Sequence, residues 1–203
     1  GLVFPQAQVL AVAAAARKLG LALHLDGARL WNAAAATQTE PSALAAPFDT
    51  VNVCFSKGLG APAGSALAGS HEAIRAARRF RKMLGGGMRQ AGILAAGALY
   101  ALEHHRARLA EDHEHALLLS DGLRDIDGIE VPQVETNIVL LRLSTPVAME
   151  LAEALARRGV LAAPFERDVV RFVTHLDVSR ASVAYAITQI QQVCREVLRG
   201  TRG

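Results

Sequence analysis

Two hydrophobic periods alternate along this chain. The alanine-rich run from Pro5 to Leu19, with proline near its start and Gly20 just after its end, predicts a helix. An apolar, β-prone run follows from Leu21 to Leu25, then a short helical stretch from Ala28 to Ala36. A proline-containing connection leads to a second β-prone run, Thr50 to Phe55. Strand, helix and strand in that order predict a parallel pair joined by a right-handed crossover. Ser65 to Ala68 is a weaker strand, His71 to Met83 a basic helix, and Leu84 to Gly87 a glycine break. From Met88 the spacing Ile93, Leu94, Ala98, Leu99, Leu102 predicts a long amphipathic helix, bent before Glu111, that bridges two lobes. Beyond Asp127 and Gly128 the texture turns to short β-rich runs: Asn137 to Leu143, Gly159 to Ala162 and Val169 to Val173. A helix from Val147 to Arg157 separates them, and one from Arg180 to Leu198 closes the chain. The expected organisation is α/β: a mostly parallel domain over residues 1–97, a bridging helix over 98–126, and a small α+β C-terminal domain over 127–203.

Composition narrows the picture. The chain has 203 residues, 51% of them hydrophobic and 20% charged, enough to bury a core in one or two domains. A net charge of +3 is small, and the clustered arginines Arg75, Arg78, Arg79 and Arg81 share one predicted helix without an aromatic platform. That helix reads as a solvated or interfacial face, so neither nucleic acid nor membrane is an expected partner. Cys54 and Cys194 are far apart, without metal-type spacing, and are expected to be reduced thiols in a cytoplasmic protein. No apolar run reaches the roughly 18 to 20 residues of a transmembrane helix, and the opening segment lacks the charged start of a signal peptide. His104, His105, His113 and His115 fall in one stretch, but i,i+1 and i,i+2 pairs do not share a helix face and HExxH is missing, so no metal is expected.

The chemistry concentrates at two strand ends. Lys57 follows the second β-run and opens the glycine-rich turn FSKGLGAPAGS; Asp26 closes the first β-run. If neighbouring parallel strands carry them, an amine and a buried acid stand at the edge where α/β sheets place reactive groups. The amine can form a Schiff base with an aldehyde cofactor while the carboxylate keeps a pyridine nitrogen protonated, which is the requirement of pyridoxal phosphate chemistry. Burial of Lys57 against its turn would favour the free amine. Ser56, Gly58 and Gly60 offer a hydroxyl and backbone N–H groups to a phosphate. The lysine precedes the glycines and a third glycine at dinucleotide spacing is missing, which disfavours nucleotide binding. Taken singly, Lys57 also reads as a surface loop lysine and Asp26 as a helix N-cap before Gly-Ala-Arg-Leu. His24, two residues before Asp26, shares its strand face, either ordering the acid or touching the cofactor, or else as an ordinary buried histidine. His175 has the same ambiguity.

These stretches, with RRFRKMLGGGMRQAGILAAG (Arg78 to Gly97), ETNIVLLRL (Glu135 to Leu143) and VRFVTHLDVSR (Val170 to Arg180), resemble in order and spacing the low-specificity threonine aldolases of the β-eliminating lyase group, within the fold-type I pyridoxal phosphate enzymes. The resemblance implies that Ala28 lies against the cofactor face, and that Arg29 and Arg171 hold the substrate carboxylate, a task suited to the arginine fork. Either arginine alone would read as a surface salt-bridge partner. It also implies that Lys82 and Arg89 approach a neighbouring subunit's site in a dimer or tetramer, the bland alternative being a charged helix end and start. The expected reaction is retro-aldol cleavage of threonine or allo-threonine to glycine and an aldehyde, with Cα–Cβ set perpendicular to the ring. Members of that group begin with a longer N-terminal portion carrying a phosphate-binding loop and a ring-stacking side chain, so the chain is expected to be a C-terminal fragment or truncated product. The alternatives are another fold-type I β-eliminating lyase, or a fragment without catalysis.

Overall fold

The computed structural model describes residues 1–200, with side chains through Leu198. The chain divides into two compact units, Val3–Leu109 and Gly1–Leu2 with Ala110–Gly203.

The first unit opens with α1 (Gln6–Lys18), which starts after Pro5 in extended backbone. It ends where Gly20, at φ 69°, lets the Leu21 N–H fold back to Ala16 O at 3.0 Å. β1 (His24–Gly27), α2 (Leu30–Thr37), a short α3 (Pro41–Ala45) and β2 (Thr50–Cys54) follow. The first strand thus starts three residues later than the apolar run suggests. The register sets His24 opposite Thr50 and Asp26 opposite Asn52 in a parallel pair, as the strand–helix–strand order predicts. β3 (Ser65–Gly69) joins the other side of β2 antiparallel, giving a three-stranded sheet in the order β1-β2-β3. α4 (His71–Met83) is capped by Ser70, whose hydroxyl accepts from Ala73 N–H at 3.2 Å, and it has no buried residue. The long helix expected from Met88 is two helices, α5 (Gly92–His104) and α6 (Leu109–Asp121), interrupted over residues 105–108.

A clamp at the open end of the sheet ties three elements of this unit. Arg17 on α1 makes a bidentate pair with Asp49, both N···O distances being 2.8 Å, while Asp49 Oδ2 also accepts from Leu23 N–H at 2.7 Å. Asp49 N–H returns to Leu23 O at 2.9 Å. One carboxylate therefore fixes where both parallel strands begin.

In the second unit, β4 (Ile129–Glu130), β5 (Ile138–Leu143), α7 (Ala148–Ala156), β6 (Ala163–Glu166), β7 (Val169–Val173) and α8 (Arg180–Gly200) form an antiparallel sheet in the order β4-β5-β7-β6 with helices. Val139, Leu141 and Leu143 of β5 and Val170 and Phe172 of β7 point into one core with Leu119 of α6, Leu151 and Leu155 of α7, and Ile190 and Val193 of α8. Leu140, Arg142 and Arg171 alternate to the other face, as period two requires. The strand expected at Gly159 to Ala162 lies further along, at Ala163–Glu166. Gly159 at φ 75° instead ends α7. Both cysteines are free, and burial pushes the Cys194 thiol up to about 12. No helix among the described residues is long and apolar enough to cross a membrane.

Two consequences can be measured. Leu151 is wholly buried, so Leu151→Ala should destabilise its unit by about 2–5 kcal/mol, read as a lower urea midpoint. The Arg17 side chain first, and Leu23 N–H second, hold the Asp49 carboxyl below its ordinary pKa. A depressed acid contributes stability above the unfolded value, about 3.9, and loses it as pH falls through the folded one. Asp49→Asn should therefore flatten the fall in urea midpoint that the parent shows below about pH 4.

Candidate functional site

Parallel pairing places the carboxyl ends of β1 and β2 side by side. Asp26 sits one residue before the end of β1, and its Oδ1 accepts two hydrogen bonds, from Ala28 N–H and from Asn52 Nδ2, each at 3.1 Å. The carboxylate is thereby anchored through one oxygen, to the turn on one side and to the neighbouring strand on the other. It does not cap a helix: α2 begins at Leu30 after Arg29, without a side-chain cap. His24 faces the same way but bonds Thr50, Nδ1 to Oγ1 at 2.8 Å, so it orders the opposite strand and not the acid. Gly27 is required by closeness, since a Cβ there would stand 2.5 Å from Asn52 O.

Lys57 lies three residues past β2, in the connection to β3. That connection is pinned to itself: Phe55 N–H bonds Gly64 O at 3.0 Å, Ala61 N–H bonds Phe55 O at 3.0 Å, and Gly60 N–H bonds Lys57 O at 2.8 Å. Leu59 on its underside is fully buried and packs with Ala98, Ala101 and Leu109, while Lys57 on its upper side is exposed. A Cβ on Gly58 would lie 2.8 Å from Leu109 Cδ2 and 3.0 Å from Asn32 Oδ1, so only glycine lets the turn settle on that layer. The Lys57 amine has no hydrogen-bond or ionic partner among the described residues. Ser56 is exposed next to it, its hydroxyl 3.3 Å from Cys54 Sγ.

Burial was the expectation for both Lys57 and Asp26, and both are exposed. Among the described residues β1 pairs only with β2. Ala28 is partly buried and Arg29 exposed in the turn after β1. Lys82 lies in the last turn of α4 and Arg89 precedes α5, both exposed. Arg171 belongs to the second unit, on the outer face of β7 between Leu140 and Ala163. Its guanidinium carbon stands 5.5 Å from the Phe165 ring centre, and its Nε is buried without a hydrogen-bond partner among the described residues. His175, also in that unit, is exposed and 3.6 Å from Asp177 Oδ2.

Three participants lay outside the sequence reading. Asn52 is the donor that fixes Asp26; its signal was a polar residue between Val51 and Val53 in a β-run. Trp31 donates from Nε1 to Cys54 O at 3.2 Å, and His105 bonds Leu59 O through Nδ1 at 2.7 Å, both beneath the lysine turn. Neither has a local sequence signature, because each acts on backbone distant in the chain.

Chemically, the arrangement joins a free primary amine, a singly anchored carboxylate and a hydroxyl beside a glycine turn at one sheet edge. Known proteins resemble this chain in sequence and in fold. The low specificity L-threonine aldolase of Escherichia coli O157:H7 is 46% identical over 170 residues, 83% of this chain and 50% of that protein. The low-specificity L-threonine aldolase 1 of Arabidopsis thaliana is 41% identical over 182 residues, 87% of this chain and 51% of that protein. This chain thus spans about half the length of the curated relatives it matches. A Leishmania major threonine aldolase structure shares the fold with a TM-score of 0.71 at 20% identity, covering 90% of this chain and 54% of its own. The profile of the beta-eliminating lyases matches residues 1–146, well over half the sequence, and the chain belongs to that family.

Proposed function

We propose that this chain supplies the cofactor lysine and the ring-nitrogen acid of a pyridoxal-phosphate-dependent carbon–carbon lyase that cleaves threonine or allo-threonine to glycine and an aldehyde. The observation that carries the reading is the placement of Lys57 and Asp26 just past or at the carboxyl ends of two directly paired parallel strands. The donor set fits the cofactor. Lys57 has an unpaired amine for its aldehyde carbon, and Asp26, bonded through Oδ1, keeps Oδ2 for a pyridinium N–H. The Ser56 hydroxyl and the neighbouring glycine turn suit its phosphate, Ala28 its ring face, and His24 stands on the same strand face as Asp26. The bound cofactor's chemistry is an electron sink for the pair left when Cα–Cβ breaks.

The protein's own part is orientation and charge. Arg29 and Arg171 are the carboxylate-binding candidates, and the unpartnered, buried Arg171 Nε is a donor in want of an acceptor. Fixing the carboxylate selects which bond at Cα stands perpendicular to the cofactor ring. The threonine aldolase names of relatives up to 46% identical support the substrate class. We assign the protein to the cytoplasm and to a dimer or tetramer, with Lys82 and Arg89 contributing to a neighbouring subunit's site. Exposed apolar side chains on α1 and α4, such as Leu10, Val12, Phe80 and Met83, support such an interface. One observation favours a second reading, in which the chain alone binds cofactor weakly: water reaches both Lys57 and Asp26.

Titration with pyridoxal phosphate, followed by visible absorption and by glycine and aldehyde release from threonine, tests this. The parent should develop a yellow band that Lys57→Ala lacks. Asp26→Asn should weaken binding about tenfold to a hundredfold, the worth of a charge-assisted hydrogen bond. Identical spectra for parent and Lys57→Ala would remove Lys57 from the role.

A further inference from the structure

We infer that His105 is a positioning residue for Lys57, holding the lysine turn from below through the Leu59 carbonyl. The turn must leave β2, carry Lys57 outward and return as β3, and its internal bonds fix only part of that path. Gly60 N–H closes on Lys57 O and Ala61 N–H on Phe55 O, and neither bond takes the Leu59 carbonyl. Leu59 is fully buried, so its carbonyl needs a protein partner or is left unsatisfied at a cost. His105 supplies it at 2.7 Å, from 46 residues further along the chain. Since the acceptor is a carbonyl, Nδ1 carries the proton; the Nδ1–H tautomer and the imidazolium both donate there.

The local structure aims His105 at this task. It is the C-cap of α5, its backbone N–H bonded to Ala101 O at 2.9 Å, at the point where the long helical pattern breaks. Tyr100, one turn earlier, meets its ring edge-on with centroids 5.5 Å apart and limits its rotation. Trp31 completes a second anchor, from α2 to Cys54 O at the last residue of β2. The peptide run that carries Lys57 is therefore tied at Cys54 and at Leu59, two residues beyond the lysine. The direction in which the amine leaves the sheet depends on both ties.

The consequence for Lys57 chemistry rests on the proposed function; the tie itself does not. His105→Leu keeps the side-chain bulk and removes the donor, while His105→Asn keeps an N–H donor at the same reach. Hydrogen exchange reads the turn without cofactor: in His105→Leu the Gly60 and Ala61 amides should exchange about fivefold faster, the loss of one net hydrogen bond. Amides of the paired strands β1 and β2 should stay unchanged, and His105→Asn should restore the parent rate. Trapping pyridoxal phosphate with borohydride and mapping the labelled peptides reads the lysine, with Lys18 on α1 as the internal reference. The Lys57 to Lys18 ratio should fall about fivefold in His105→Leu and recover in His105→Asn. Unchanged turn exchange in His105→Leu, or a loss that asparagine does not rescue, overturns the inference. A parent chain that shows no preference for Lys57 overturns the functional reading instead, and the exchange comparison then decides the tie by itself.

Discussion

The parallel pairing of β1 with β2 is the constraint from which the site follows. Parallel ladders bring equivalent ends of two strands to one edge, so groups placed after each strand become neighbours although the sequence separates them. Register matters as much as direction. Asp26 opposite Asn52 lets one strand's amide hold the other's carboxylate, and His24 opposite Thr50 repeats the device two residues earlier on the same face. A slip of either strand by one residue would turn its two side chains of these pairs to the other face. Two features hold the register: Asp49, which ties both strand starts to Arg17 on α1, and Gly27, which lets the backbones approach without a Cβ between them.

The connection after β2 works under opposing demands. Its upper side leaves the Lys57 amine in solvent, while its lower side is packed, with Leu59 fully buried. The chain meets both with small residues and borrowed partners. Gly58 and Ala61 settle on the layer formed by Leu109, Ala98 and Ala101, and carbonyls that the turn cannot satisfy are taken by Trp31 and His105. Arg106 stands over the Trp31 ring at 5.5 Å and 3.9 Å from Glu40, a loose, solvent-screened contact that adds little stability but covers the indole. The second unit follows a different plan, with one sheet face closed by three helices around a single core. Its other face carries Arg171, whose guanidinium stands 5.5 Å from the Phe165 ring centre.

How much of this was legible in the sequence follows from what each feature depends on. Helices α1, α4, α7 and α8 and strands β2, β5 and β7 sit close to where their periodicity and caps put them, because period, Pro5, Ser70 and the glycine stops are local physics. The parallel pair was also readable, since a strand–helix–strand order leaves few other arrangements. The two-residue strand β4 and displaced β6 were not, because pairing and not propensity defines them, and neither was the five-residue helix α3. The break between α5 and α6 was visible only as a bend: residues 105–108 are not helix breakers by type.

At the site, the sequence by itself determined the chemical inventory. A lysine opening a glycine turn after one strand and an acid closing another are local facts, readable before anything packs around them. Tertiary structure alone decided which partners those groups have and how wet they are. Asn52 on Asp26 and Thr50 on His24 come from register, Trp31 and His105 on the turn from helix packing, and Lys57 and Asp26 stay exposed among the described residues. A hydrogen bond between residues 46 apart leaves no local periodicity to read, since it depends on where two backbones have been brought by everything between them.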